Sequence, residues 1–311
     1  MDKIATRQAY GEFLVKKGKE RPDLIVMDAD LSGSTKTKLF AEAYPERFIN
    51  CGIAEADLMA EAAGIALSGH VVCASSFAMF AVGRAYEVIR NSIGYTGANV
   101  KICATHAGIT VGEDGASHQT FEDLALMRVI PGMTVVNPAD AVSAEKLLNA
   151  VVDTEGPAYV RLGRSGVPVF YKPEDEIVLG KANMLREGTD VTIIATGIMV
   201  AEAVEAADAL AEEGVQARVL DMHTIKPLDE EAILKAARET GAIVTAEEHS
   251  VLGGLGGAVA EVLACKAPTR MAMVGQHDTF GESGTPNELK AKYGMTASDI
   301  VKAVKEVLAS K

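Results

Sequence analysis

Residues 105–120 read THAGITVGEDGASHQT and carry His106, Asp114 and His118 together with Gly108, Gly112 and Gly115. The stretch is too polar and too glycine-rich for a strand or an amphipathic helix, so it reads as a loop. Three chemistries are open to such a loop. A metal centre needs three or four converging ligands, often in tight pairs such as H-x-x-x-H, and no such pair exists here. The glycines let backbone N–H groups approach an anion or a sugar closely. Histidine, aspartate and glutamate supply both donors and acceptors to a polyhydroxylated ligand, so a carbohydrate or phosphosugar is the better physical fit.

Two further groups merit a chemical reading. Glu55, in GIAEADLMAEAAGIAL, follows a strand pattern and opens a helix whose apolar face carries Ile53, Leu58, Met59, Ala62 and Ala63. It is either a first-turn carboxylate favoured by the helix dipole or a buried carboxylate that shares a proton with a ring nitrogen. Phe77 and Phe80 stand three residues apart at a helix start, in a chain with only 5% aromatic residues, and fit either a core or an aromatic binding wall. Gly254, Gly256 and Gly257 resemble a dinucleotide fingerprint only superficially, because G-x-G-x-x-G is out of register, and close helix–strand packing explains them better.

The elements that must position these groups alternate. Apolar, β-rich runs at 23–30, 47–53, 70–77, 100–106, 133–140 and 157–163 are separated by helical patterns at 3–18, 54–67, 79–93, 120–128 and 141–152. Near-continuous apolar runs suit strands covered on both faces, hence a parallel sheet between helices. After a Gly-, Pro- and charge-rich passage the alternation restarts with strands at 191–197, 217–222, 242–248 and 270–275. Asp229 and Thr296, the latter with Asp299 three residues on, read as helix caps. The expected fold is α/β with two doubly wound domains, residues 1–165 and the smaller 191–311, joined by a linker over 166–190. In such sheets ligands sit beyond the carboxyl ends of the strands, and the loops after 23–30, 47–53 and 100–106 all face that rim.

Composition narrows the partners. A formal charge of −13 and the absence of a Lys/Arg block argue against nucleic acid or an anionic membrane. No apolar run reaches spanning length and the first residues lack a signal-peptide core, so a cytoplasmic protein is expected. Cys51, Cys73, Cys103 and Cys265 form no C-x-x-C pair and read as reduced, mostly buried thiols.

Taken in order, ATRQAY, DADLSGS, NCGIAEADLM, the long run from THAGITVGEDGASHQT to VVNPAD, YVRLGR and FGESG resemble the C-terminal half of transketolase: its pyrimidine-binding domain, which binds thiamine diphosphate, plus its C-terminal domain. The resemblance implies that Glu55 hydrogen-bonds the aminopyrimidine ring nitrogen of thiamine diphosphate and favours the imino tautomer that deprotonates the thiazolium. It implies that Phe77 and Phe80 stack on that ring, with Asp30 and Ile53 close by. The family often carries a tyrosine where Gly83 stands, which leaves one wall to Tyr86 or to another chain. His118 resembles the histidine beside the reacting carbonyl, and Asp114 the carboxylate that reads a substrate hydroxyl. Arg7, Ser34, His106 and Arg164 match positions that line the entrance and hold the sugar phosphate, and Arg161 competes with Arg164 in the R-L-G-R alignment.

The family holds the diphosphate through Mg2+ on a Gly-Asp-Gly motif, which this sequence lacks. The resemblance therefore implies a split enzyme: an N-terminal-type partner subunit brings the diphosphate and metal ligands, this chain supplies none, and the assembly is α2β2. The expected reaction is two-carbon ketol transfer between sugar phosphates such as those of the pentose phosphate pathway. The alternatives are a deoxyxylulose phosphate synthase-like subunit, a 2-oxo acid dehydrogenase β-like subunit and a non-catalytic scaffold. The pairing of His106 with His118 favours transketolase over the first two, and Glu55 argues against the third.

Overall fold

In a computed structural model, which describes residues 3–310, two sheets are flanked by helices. The first contains β1 (Leu24–Asp28), β2 (Phe48–Asn50), β3 (Val71–Ser75), β4 (Val100–Ala104), β5 (Thr134–Val136) and β6 (Ala158–Arg161). All six run parallel, in the spatial order β5-β6-β4-β3-β1-β2. Every residue of β3, β4 and β6 is buried, which is why the sequence shows continuous apolar runs there instead of alternation. The second sheet holds β7 (Asn183–Arg186), β8 (Val191–Ala195), β9 (Ala217–Asp221), β10 (Ala242–Ser250) and β11 (Arg270–Gln276), ordered β11-β10-β8-β9-β7 with only β7 antiparallel.

The chain moves from β1 outward to β2 and then back across β1 to β3, so the winding reverses between β1 and β3. A crevice opens at such a switch point, outside the carboxyl ends of the strands. Five loops meet there, after β1, β2, β3, β4 and β6, where three were expected.

Several local features depart from the sequence reading. The helix expected over 79–93 is wound mostly as π-helix, Met79–Arg84 and Ile89–Gly94, around an α-turn at Tyr86–Val88. Wide winding of this kind recurs beside functional sites. The passage 166–190 supplies β7 and a short antiparallel ladder in which Lys3–Ile4 pair with Val167–Pro168. A further strand, Thr224–Lys226, leaves the second half of the chain to pair antiparallel with β5. The helix caps stand: the Asp229 carboxylate accepts the Ala232 N–H, and the Asp299 carboxylate accepts both the N–H and the hydroxyl of Thr296. Of the cysteines, Cys73 and Cys103 are buried, Cys51 is half-buried and Cys265 is exposed.

The glycines around Leu255 serve a carboxylate of the chain itself. Glu247 sends both oxygens to the N-terminus of helix Leu255–Lys266, accepting the N–H groups of Leu255 and Gly256 at 2.7 Å each. That end of the helix is thereby filled, and no dinucleotide phosphate is needed to satisfy it. A Cβ at Gly254 would lie 2.0 Å from Glu247 Oε2. Gly254→Ala is therefore expected to displace a buried carboxylate from its donors and lower unfolding free energy by about 2–3 kcal/mol, as measured by urea denaturation. An unchanged midpoint would refute this packing role.

Candidate active site

At the end of β1 the buried Asp28 carboxylate accepts the Leu31 N–H (2.6 Å) and the hydroxyls of Thr35 (2.7 Å) and Thr37 (2.9 Å). Burial pushes its carboxyl above the ordinary range, opposed by these donors. The three bonds fold the loop after β1, which carries Ser34, back on the strand. Asp30, at φ 63°, is exposed and shares two hydrogen bonds with Asn50 at the end of β2: the Asp30 N–H donates to Asn50 Oδ1 and Asn50 Nδ2 donates to Asp30 Oδ1. Asn50, absent from the expected site, also accepts the Gly52 N–H. It thus joins the loop of Asp30 to the one that leads to Glu55.

Pairing of β3 with β4 continues past the strand ends through a bridge between Phe77 and Thr105. This backbone link places the next side chains face to face. The Phe77 and His106 rings stack with centroids 3.8 Å apart, Phe77 lies 6.1 Å from Phe80, and His118 meets Phe80 edge-on at 5.2 Å. Two residues expected to hold cofactor and two expected to hold substrate therefore form one cluster.

His106 is buried, at φ 58°, and its Nε2 lies 3.2 Å from Arg7 Nη1 while its Nδ1 lies 2.8 Å from Thr105 Oγ1. A guanidinium only donates. Nε2 must then be the acceptor, and Nδ1–H donates to the threonine hydroxyl. Burial, followed by the charges of Arg7 and Arg164, holds the His106 pKa down at about 3. His106 is thus a neutral imidazole at this position. Arg7 also donates to the Ser34 carbonyl at 2.9 Å, and its buried Nε has no partner among the described residues. A buried guanidinium N–H without an acceptor fits an oxygen from a water or a bound ligand.

Glu55 is buried, with Oε2 accepting from Arg84 Nη1 at 2.7 Å, and the Arg84 guanidinium lies 5.3 Å from the centre of the Phe80 ring. Arg84 thus stands beside Gly83, where the sequence reading left a wall to fill, and it escaped notice because a charged residue one place on carries no motif signal. Tyr86 is half-buried and packs against the hydrophobic core. Ile53 is 77% exposed on the rim. The contacts run without a gap from Glu55 through Arg84, Phe80, His118, Phe77, His106 and Arg7 to Ser34.

The two arginines of R-L-G-R part company. Arg161 is buried and donates to Asp123 from Nε at 2.7 Å and to the Glu248 carbonyl from Nη2 at 2.8 Å, so it faces away from the crevice. Arg164 is half-buried and donates to the Val111 carbonyl and, at 2.8 Å, to Glu113. It holds the short 3-10 helix Ile109–Asp114, at whose exposed end Asp114 lies. Among the described residues no three His, Cys, Asp or Glu side chains form a metal cluster, and no helix is long and apolar enough to cross a membrane.

Comparison with known proteins adds the family context. Residues 2–169 match the model of the transketolase pyrimidine-binding domain, and residues 180–300 that of the transketolase C-terminal domain. A protein of Methanocaldococcus jannaschii named provisionally as a transketolase C-terminal section is 48% identical, across 96% of this chain and 95% of its own length. The 6-deoxy-6-sulfo-D-fructose transketolase subunit of a Clostridium species is 44% identical, across 97% and 94%. A solved structure described as a split gene transketolase, inactive β4 tetramer, superposes with a TM-score of 0.93 at 56% identity, covering 98% of this chain and 99% of that one.

The neutral state of His106 is testable by NMR of 15N-histidine-labelled protein. Its Nε2 should keep an acceptor shift from pH 5 to 8, whereas Arg7→Ala, which removes a nearby positive charge, should raise its pKa toward the ordinary 6.5. A wild-type titration of this ring between pH 6 and 7 would contradict the neutral state assigned to it.

Proposed function

The chain belongs to the transketolase family, and from that premise we propose that it is one subunit of a thiamine-diphosphate-dependent enzyme that moves a two-carbon ketol unit from a ketose phosphate to an aldose phosphate. The observation that carries this reading is the single cluster in which Phe77 stacks on His106 and His118 abuts Phe80, because it joins the expected cofactor wall to the expected substrate wall.

Thiamine diphosphate, which the family implies, fits the residues present at its pyrimidine end. Phe80, half-buried, offers a ring face with Phe77 packed behind it, and Glu55 keeps one carboxylate oxygen beyond that engaged by Arg84. The cofactor's diphosphate and Mg2+ fall to a second subunit with a Gly-Asp-Gly motif in an α2β2 assembly, a reading supported by the likeness to a split gene transketolase. Bound, the cofactor stabilises the carbanion that ketol transfer requires.

The chain's own residues do the rest. Glu55 holds a proton at the pyrimidine ring nitrogen from its buried place in the first turn of its helix. Phe77 and Phe80 keep water from that ring. His118, its Nδ1 set by Ser117 Oγ at 3.0 Å, passes a proton at the substrate carbonyl through Nε2. Asp114 reads a substrate hydroxyl. Arg7 and Arg164, with neutral His106 and Ser34 between them, hold the anionic head group. Guanidinium recognition accepts any tetrahedral oxyanion, in keeping with a relative named for a sulfo-sugar.

The purified chain with thiamine diphosphate and Mg2+ should show no ketol transfer, and adding a Gly-Asp-Gly-bearing partner should restore it. Activity of the chain alone would sink the split-enzyme reading. In the assembled enzyme Glu55→Ala should lower kcat by about 10²–10⁴ while leaving assembly intact, as judged by sizing and steady-state assay. Full activity of that variant would remove Glu55 from the mechanism.

A further inference from the structure

The loop that carries His106, Asp114 and His118 is anchored by groups that the site does not use. Glu248, on β10 of the second sheet, is buried, and its Oε1 accepts the Thr110 N–H at 2.7 Å, in the middle of the loop. Its Oε2 lies 3.5 Å from Arg161 Nη1. Arg161 in turn binds Asp123, which opens the helix that follows the loop and also accepts the Tyr159 hydroxyl at 2.7 Å. Two residues beyond Glu248, the Ser250 N–H donates to the Phe121 carbonyl at 2.9 Å. One strand of the second sheet therefore grips the loop at Thr110 and again at Phe121, on either side of Asp114 and His118.

The fit leaves no slack. Gly108 has φ 79°, and a Cβ there would lie 2.2 Å from Glu248 Cδ and 2.5 Å from each of its oxygens. The backbone at Gly108 is closed against Thr120 by an N–H···O bond of 3.0 Å. The carboxylate thus fills the hollow beneath the loop while accepting the Thr110 N–H.

We propose that Glu248 is a positioning residue of the substrate site: its carboxylate, reaching across from the second sheet, holds the loop so that His106, Asp114 and His118 face the same crevice. The proposal rests on reading that rim as the substrate site. It gives the second sheet a task in the reaction, since the carboxylate bonded to Thr110 originates there and touches neither substrate nor cofactor. Loss of a charge-assisted acceptor frees the Thr110 N–H and leaves Arg161 with a single carboxylate, which loosens the loop before it unsettles either sheet.

The test compares wild type, Glu248→Gln and Glu248→Ala. Hydrogen exchange on the purified chain follows the Thr110 amide against amides of β8. Steady-state kinetics on the enzyme assembled with its partner follows KM for the ketose phosphate and half-saturation by thiamine diphosphate. Thr110 exchange should accelerate in the order Glu, Gln, Ala with β8 unchanged, because a neutral acceptor bonds more weakly than a carboxylate. Substrate KM should rise about ten-fold in the alanine variant and less in the glutamine variant, with cofactor half-saturation unmoved. Glu248→Gln keeps the test decisive if the alanine variant does not fold. Wild-type Thr110 exchange in a folded variant overturns the proposal, as does a substrate KM unmoved in every folded variant. If wild type itself transfers no ketol unit, the reading of the site has failed, and the exchange arm alone decides whether Glu248 holds the loop.

Discussion

A guanidinium buried between two sheets sets the terms for much of this molecule. Arg161 stands at the carboxyl end of β6, only 4% exposed, with Asp123 on one side and Glu248 on the other. Desolvating such a charge costs several kcal/mol unless partners are held in good geometry. Burial works against the charge on Asp123, but the Arg161 charge foremost among its neighbours holds the carboxyl below its ordinary pKa, and the pair thereby meets much of that cost. Glu248 comes from the other sheet, so the end of β6 and the end of β10 must meet. The loop from Thr105 to Thr120 lies across that meeting point, and its glycines follow from the crowding. A Cβ at Gly115 would approach Ser283 Oγ to 2.6 Å, and one at Gly281 would reach Gln119 Oε1 at 1.9 Å. The composition that first marked the loop as a binding loop thus has a second cause, which is close passage of backbone between two packed sheets.

That double cause explains what was legible in the sequence and what was not. Strands such as Val100–Ala104 and Val191–Ala195 announced themselves because burial on both faces demands unbroken apolar runs. Glu55, Phe77 and His106 fell on one rim because each follows a parallel strand, and parallel strands deliver their loops to one edge. Pairings between distant segments left no local trace. Thr224–Lys226 gives no sign that it will join the first sheet, and nothing in R-L-G-R says which arginine turns inward. Glu247 and Glu248 were readable in principle. Two carboxylates in succession within a strand otherwise built for burial require named partners, and asking for them leads to the helix at Leu255 and to Thr110.

The electrostatics of the rim run against the character of the whole chain. A protein of net charge −13 gathers Arg7, Arg164 and Lys36 around one imidazole. Their combined field, together with burial, keeps His106 neutral, and the neutral ring then has a donor face and an acceptor face fixed by Thr105 and Arg7. A protonated ring would lose its acceptor and turn an N–H toward a guanidinium, so the contact with Arg7 depends on the proton staying off. The positive character of this end of the crevice therefore derives from guanidinium groups, which do not titrate near neutrality. The positive charge gathered at this rim is in consequence constant across the range where a histidine's charge would vary.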